Sequence, residues 1–387
     1  MKYYLIAGEA SGDLHGSNLV RELRKKDPGA QIRAWGGDLM QEAGADIVKH
    51  YRDLAFMGFT EVISNLPTIF RNIRFCKADI EKFNPDVVIF IDYPGFNLRI
   101  AGWARRAGYK TVYYISPQVW AWKESRVKSI KDCIDKMLVI LPFEKEFYHK
   151  WHYEVEYVGH PLVEVIDRFS HSAAARALPE IIHRAGQEKS TAALPIVALL
   201  PGSRKQEIGK KLPVMLEASR SFPDYQFVVA EAPGQEDAFY DGLLKNYPEV
   251  GRVRNQTYAL LLHAVAACVT SGTATLETAL FGVPEVICYK GSAVSYQIAK
   301  RLIRVKYISL VNLIMDKPVV KELIQDDMNP VNLVRELKKI LKDTETIARI
   351  RKDYADLKDL LSRGGNASEK AAESIVSFLR KEKNLKI

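Results

Sequence analysis

Asp92 closes the run Pro85-Asp-Val-Val-Ile-Phe-Ile-Asp92, and that placement determines what chemistry it can do. A continuous apolar stretch of this length reads as a parallel strand buried on both faces. The residues after it, Tyr93-Pro94-Gly95-Phe96-Asn97, must turn sharply, which leaves the carboxylate at the carboxyl edge of a sheet, where open α/β sheets bind ligands. A carboxylate there is a candidate general base. The ordinary alternative is a cap for a helix from Leu98, a role open to Asn97 as well. Chemistry of another kind, seating an anion, is written in Ala198-Leu-Leu-Pro-Gly-Ser-Arg-Lys-Gln-Glu207. Strand, tight turn and helix follow one another there, so the amides around Gly202 and Ser203 converge on one point and Arg204 adds a planar guanidinium. A plain strand-to-helix turn with a surface arginine is the competing reading.

Thr270-Ser-Gly-Thr-Ala-Thr-Leu-Glu277 repeats the arrangement. Ala266 to Thr270 reads as a strand, while Ser271, Gly272 and Thr273 offer hydroxyls and free amides at a helix start. Two such seats in one α/β half predict a ligand with several phosphates and a sugar diol. Glu277 suits the two ribose hydroxyls; its other reading is favourable charge at a helix N-terminus. Near the amino terminus, Gly8-Glu-Ala-Ser-Gly-Asp-Leu-His-Gly16 follows a strand, without being the dinucleotide pattern G-x-G-x-x-G. It brings Glu9, Ser11 and Asp13 to a substrate-facing edge, unless Ser11 or Asp13 serves only as a helix cap. His160, alone in Gly159-His160-Pro161, reads as a hinge or core histidine.

The elements that must carry these residues fall into two α/β halves. Strands are expected at Tyr3 to Ala7, Gln31 to Trp35, Asp86 to Asp92, Thr111 to Ile115, Lys136 to Leu141 and Glu154 to Val158. A second set is expected at Pro195 to Leu200, Tyr225 to Glu231, Gly251 to Arg254, Ala266 to Thr270 and Glu285 to Tyr289. The domain reading is 1–165, a linker 166–193, a second domain 194–345 and a helical tail 346–387, whose last helix starts at an Asn366 cap with Glu369 completing a capping box. With 387 residues the chain is long for one core.

Composition is 47% hydrophobic and 27% charged, and no apolar run approaches the ~20 residues of a spanning helix. Met1 leads directly into a strand, so no signal peptide is expected. Cys76, Cys133, Cys268 and Cys288 show no metal-ligand spacing, which predicts reduced thiols in a cytosolic setting. The net charge of +9 favours anionic partners without choosing between nucleic acid, membrane and phosphorylated substrates.

One segment carries more apolar residues than its own packing needs. Ile69, Ile73, Cys76, Ile80 and Phe83 repeat as one helical stripe. Phe59, Ile63, Leu66 and Phe70 are left over beside Arg71, Arg74 and Lys77. Core packing is one reading of them; a membrane-interface surface is the other.

Read in order, Gly8-Glu-Ala-Ser-Gly-Asp13, Ile91-Asp-Tyr-Pro-Gly-Phe-Asn97, Ser116-Pro-Gln-Val-Trp-Ala-Trp122, Leu141-Pro-Phe-Glu144, Gly159-His160, Leu200-Pro-Gly-Ser-Arg204, Ser271-Gly-Thr-Ala-Thr-Leu-Glu277 and Ser309-Leu-Val-Asn312 closely resemble the lipid-A-disaccharide synthase family over roughly the whole chain. The resemblance implies the glycosyltransferase B fold, two Rossmann-like domains with a cleft between them and a C-terminal helical tail. It implies an inverting transferase that joins UDP-2,3-diacylglucosamine to 2,3-diacylglucosamine 1-phosphate (lipid X), with no cofactor and no metal. Asp92 matches the family's catalytic aspartate, Arg204 its UDP-contacting arginine and Asn312 its important asparagine. Glu9 and Ser11 match polar residues of the cleft, and Asp13, Trp120 and Asn312 are assigned with them to the acceptor side. Both acylated substrates make Phe59, Ile63, Leu66 and Phe70 a docking surface for the cytoplasmic face of the inner membrane, and the family implies a homodimer with exchanged C-terminal parts.

Two rivals remain. A UDP-N-acetylglucosamine 2-epimerase shares the same fold class and needs no lipid surface. A nucleic-acid-binding protein would use the charge and the Trp120/Trp122 loop, but the Lys and Arg residues are scattered over both halves rather than gathered in a stripe.

Overall fold

Val87–Ile91 is a strand of five apolar residues with every side chain buried, which only a sheet covered on both faces permits. The computed structural model describes residues 1–54, 66–177, 179–181, 194–292 and 305–384. These divide into two units, Met1–Pro161 with Leu361–Ile387, and Leu162–Leu360. The first holds β1 (Lys2–Ala7), β2 (Gln31–Gly36), β3 (Asp46–His50), β4 (Val87–Ile91), β5 (Lys110–Tyr114), β6 (Lys136–Val139) and β7 (Glu156–Tyr157). They form a parallel sheet in the order β3-β2-β1-β4-β5-β6-β7. The second holds β8 (Ile196–Leu200), β9 (Gln226–Glu231), β10 (Gly251–Arg254), β11 (Ala264–Thr270), β12 (Glu285–Tyr289) and β13 (Lys321–Ile324), again all parallel, in the order β10-β9-β8-β11-β12-β13.

Each order reverses once, between β1 and β4 and between β8 and β11. Such a reversal leaves a crevice at the carboxyl ends of the two strands, because their crossover connections leave on opposite faces. The four turns at these places begin with Gly8, Asp92, Pro201 and Ser271.

Alternation along β1 sorts its side chains between two cores. Tyr3 and Leu5 pack with Leu19 and Val112 on one face, whereas Tyr4 and Ile6 pack with Trp35, Cys76 and Ile80 on the other. Cys76 and Ile80 belong to the helix Leu66–Phe83 and bury the expected stripe. The first face is closed by the last helix, Ala367–Asn384, whose Ile375, Val376 and Leu379 join that core beside the helix Ala10–Lys26. Asn366 accepts from the Glu369 amide at 3.0 Å, which gives this helix its start. The tail is therefore shared: Thr344–Ser362 lies in the second unit up to Leu360, and only the final helix packs on the first. Where the chain returns, a Cβ on Gly364 would fall 2.1 Å from the Gly159 nitrogen, so the two backbones meet directly.

Strands β3 and β13 were not expected. Both are sheet edges, and in Asp-Ile-Val-Lys-His and Lys-Glu-Leu-Ile at most one residue is buried. An edge strand needs no continuous apolar run. Among the described residues no helix is long and apolar enough to cross a membrane.

Candidate functional site

Asp92 and Tyr93 directly follow β4 with φ of +45° and +50°, two consecutive non-glycine residues in the left-handed region. Such a turn persists only when its surroundings over-determine it. Here the Asn97 side-chain amide donates to the Asp92 carbonyl at 2.7 Å and to the Ile91 and Ile6 carbonyls at 3.3 Å each. The Tyr113 hydroxyl donates to the Asp92 carbonyl at 2.6 Å, and the Asp92 amide donates to Tyr114 at 3.2 Å. The Tyr93 ring lies over Gly8, where a Cβ would come within 2.3 Å of it. All of this holds the backbone of Asp92 in its left-handed turn. Burial first, and then the charge of Glu9, push that carboxyl up to about 6, against the Tyr93 amide. The helix begins at Pro94 without a side-chain cap, so neither Asp92 nor Asn97 caps it.

Glu9 is partly exposed and Ser11 is exposed in the first helical turn. Asp13 corrects the expectation of a cleft residue. It is buried, and its carboxylate accepts from the amides of Gly37 at 2.7 Å, Met40 at 3.1 Å and Leu39 at 3.2 Å. It therefore caps the neighbouring helix Asp38–Glu42 rather than its own.

Trp120 donates from Nε1 to Glu144 Oε1 at 3.3 Å and meets the Phe143 ring edge-on at 5.0 Å. It is pinned, which ill suits the free stacking platform of a nucleic-acid reader. Glu144 itself is buried, takes the Leu141 amide at 2.9 Å and is pushed by burial to about 7. His160 is a buried core histidine, pushed down to about 3 by burial and then by His15.

In the second unit the turns after β8 and β11 share one cavity of about 390 Å³, lined by Gly202, Ser203, Arg204, Ser271, Gly272, Thr273 and Glu277 among others. Gly202 has a φ of +120° and Gly272 of +156°, conformations that favour glycine. Each turn opens a helix, Lys205–Ser219 and Thr273–Leu280, and neither start has a side-chain cap. Their first amides thus remain available to an anion. Glu277 lies on the cavity wall, where the Tyr258 hydroxyl donates to its Oε1 at 2.9 Å, and burial raises its pKa against that hydrogen bond.

Asn312, matched to the family's important asparagine, is buried with both its amide groups hydrogen-bonded. Its Nδ2 donates to the Val320 carbonyl at 2.9 Å and Glu322 Oε1 at 3.0 Å, and its Oδ1 accepts from Val320 at 3.0 Å. Glu322 in turn accepts the amides of Ile308 and Ser309, and the Ile308 carbonyl receives the Ser271 hydroxyl at 2.7 Å. Through Glu322 and the Ile308 carbonyl, Asn312 connects to Ser271 on the cavity wall. Tyr258 and Glu322 have no sequence signal, since each matters through a partner distant along the chain, Glu277 for Tyr258 and Ile308 and Asn312 for Glu322.

Of the docking residues, Phe59 and Ile63 lie outside the described residues, as does the side chain of Leu66. Phe70 is 64% exposed and Phe75 is 47% exposed. Among the described residues no group of His, Cys, Asp and Glu is placed to hold a metal ion.

Residues 3–377 match the family model described as lipid-A-disaccharide synthetase. Lipid-A-disaccharide synthase of Syntrophus aciditrophicus is 40% identical, with 97% of each chain covered. That of Geobacter metallireducens is 39% identical over 98% of this chain and 97% of its own. Among solved structures, the UDP-GlcNAc 2-epimerase of Neisseria meningitidis bound to UDP-GlcNAc superposes with a TM-score of 0.68 at 12% identity, covering 97% of this chain and all 100% of the other. The calicheamicin glycosyltransferase CalG4 gives 0.60 at 16% identity, covering 97% and 98%. At such identities the likeness speaks for the fold alone, two Rossmann-like units of the glycosyltransferase B type.

Proposed function

The chain belongs to the lipid-A-disaccharide synthetase family, and from that premise we propose that it transfers 2,3-diacylglucosamine from UDP to the 6-hydroxyl of 2,3-diacylglucosamine 1-phosphate, with inversion. An alcohol is a weak nucleophile at neutral pH, so Asp92 takes its proton as the new bond to the anomeric carbon forms. A single displacement inverts the centre and needs no second carboxylate. The departing UDP gains negative charge, which the amides at Gly202–Ser203 and Gly272–Thr273, with Arg204, receive. Glu277 holds the ribose, and Glu9 and Ser11 line the acceptor side.

The observation that carries this reading is the chemistry found at the two strand-order reversals. One presents a carboxylate pushed up to about 6; the other presents two uncapped helix starts around a single cavity. Measuring UDP release from the acylated donor tests it. Release should require the acylated acceptor and fall at least a hundredfold in Asp92→Asn with UDP affinity intact. An epimerase would turn over its sugar without an acceptor, and the relatives at 37–40% identity are synthases by name.

Both substrates carry acyl chains, so the enzyme works at the cytoplasmic surface of the inner membrane. Exposed Phe70 and Phe75 beside Arg71, Arg74 and Lys77 support docking there. Replacing Leu66 and Phe70 by Ser should release the protein from anionic vesicles, and unchanged co-sedimentation would refute it. The homodimer with exchanged C-terminal parts requires Ala367–Asn384 to take its seat on a second copy; a monomer in light scattering rejects it.

A further inference from the structure

A second cation lies beneath the Gly202 turn. Lys211 sits on the helix that opens at the turn, with its side chain only 3% exposed, and Glu207 Oε2 stands 3.8 Å from its ammonium. That separation is too long for a hydrogen bond, so the pair attracts without bonding. Glu207 Oε1 faces Arg204 at the same 3.8 Å. A Cβ built on Gly202 would meet Glu207 Oε2 at 2.9 Å and Lys211 Nζ at 3.5 Å, so both groups press against the underside of the turn.

Glu207 also lines the cavity, where its charge opposes that of an incoming diphosphate. With Arg204 alone beside it, the two would cancel. Lys211 completes a row of cation, carboxylate and cation and leaves the trio one net positive charge. A buried ammonium is costly unless an anion compensates it, and Glu207 does so only across a gap. Burial accordingly holds the Lys211 pKa below the usual lysine range, with Glu207 pulling it back up.

We propose that Lys211 is a further binding residue for the donor's diphosphate, offsetting the charge of Glu207 beside Gly202. The proposal rests on the reading of this cavity as the UDP site.

Calorimetric titration of uridine, UMP and UDP into wild type, Lys211→Met and Glu207→Gln at one ionic strength tests it. One charge in contact with the phosphate, about 3 Å away and screened by a dielectric constant of about 80, corresponds to roughly a tenfold change in UDP affinity, and weaker screening enlarges it. Lys211→Met should therefore weaken UDP roughly tenfold, weaken UMP less and leave uridine unchanged, while Glu207→Gln should tighten UDP. Equal losses for uridine and UDP, or a wild-type UDP affinity in Lys211→Met, would overturn the role. Should Lys211→Met fail to fold, Glu207→Gln decides, and an unchanged UDP affinity there rejects the proposal. If wild type itself bound no UDP, the reading of the cavity would fall instead.

Discussion

The Tyr258 hydroxyl donates to Glu277 Oε1 at 2.9 Å, and the Tyr258 ring is held by Phe169 edge-on at 5.4 Å and Phe281 at 5.3 Å. Aromatic packing fixes the tyrosine, and the tyrosine fixes the carboxylate. Burial raises the Glu277 pKa, and the hydroxyl works against that rise. Tyr258→Phe removes both the orientation and the counterweight. It should weaken UDP by about tenfold, the scale of a hydrogen bond to a charged group, while binding of 2′,3′-dideoxy-UDP should stay the same. Equal losses for the two nucleotides would mean that the tyrosine only holds the wall together.

Asp92 yields a prediction about pH. Its carboxyl is pushed up from 3.8 to about 6, by burial and then by Glu9, so the basic form is lost as pH falls through about 6. The acid limb of kcat/KM should have its midpoint there, and Glu9→Gln, which removes a like charge, should move it to lower pH. A limb unmoved in Glu9→Gln would detach it from Asp92. For stability the sign is reversed from that of a paired carboxylate. The folded protein holds this proton more tightly than the unfolded chain, so stability falls as pH rises from about 4 to about 6. Asp92→Asn should consequently raise Tm at pH 8 while abolishing turnover.

Asn97 reaches three carbonyls with one amide group, those of Asp92, Ile91 and Ile6. Asn97→Ala leaves buried acceptors without that donor, a cost of about 1–3 kcal/mol, and lets the strained turn at Asp92 relax. Turnover should fall at least tenfold in folded protein. UDP affinity, read on the second unit, should not change, and a loss there would show that the substitution acts by general unfolding.

Asn312 should behave in the opposite way. Its route to the nucleotide seat runs through Glu322 and the Ile308 carbonyl to Ser271. Asn312→Ala should therefore weaken UDP severalfold and leave the acid limb of the pH profile in place. Titration of UDP and a pH series separate the two effects, and an altered midpoint with full UDP affinity would contradict the assignment.

The buried strands of both sheets and the two glycine turns that line the cavity of the second unit were legible along the chain. A run such as Val87–Ile91 or Ile196–Leu200, bounded by turn residues, reads as a strand covered on both faces, and Pro201-Gly202 or Ser271-Gly272 reads as a turn. These are local properties, set by side-chain period and backbone freedom within a few residues. Edge strands β3 and β13 escaped because solvent on one side lifts the demand for apolar residues. The roles of polar side chains escaped for another reason. Asp13 looked like a cleft residue until the fold brought Gly37, Leu39 and Met40 to it. Lys211 carried no signal along the chain, and only the fold sets its ammonium against the Gly202 turn. A charge or an amide acts on whatever lies within a few ångströms. The order of the strands, which no local pattern encodes, decides what that is.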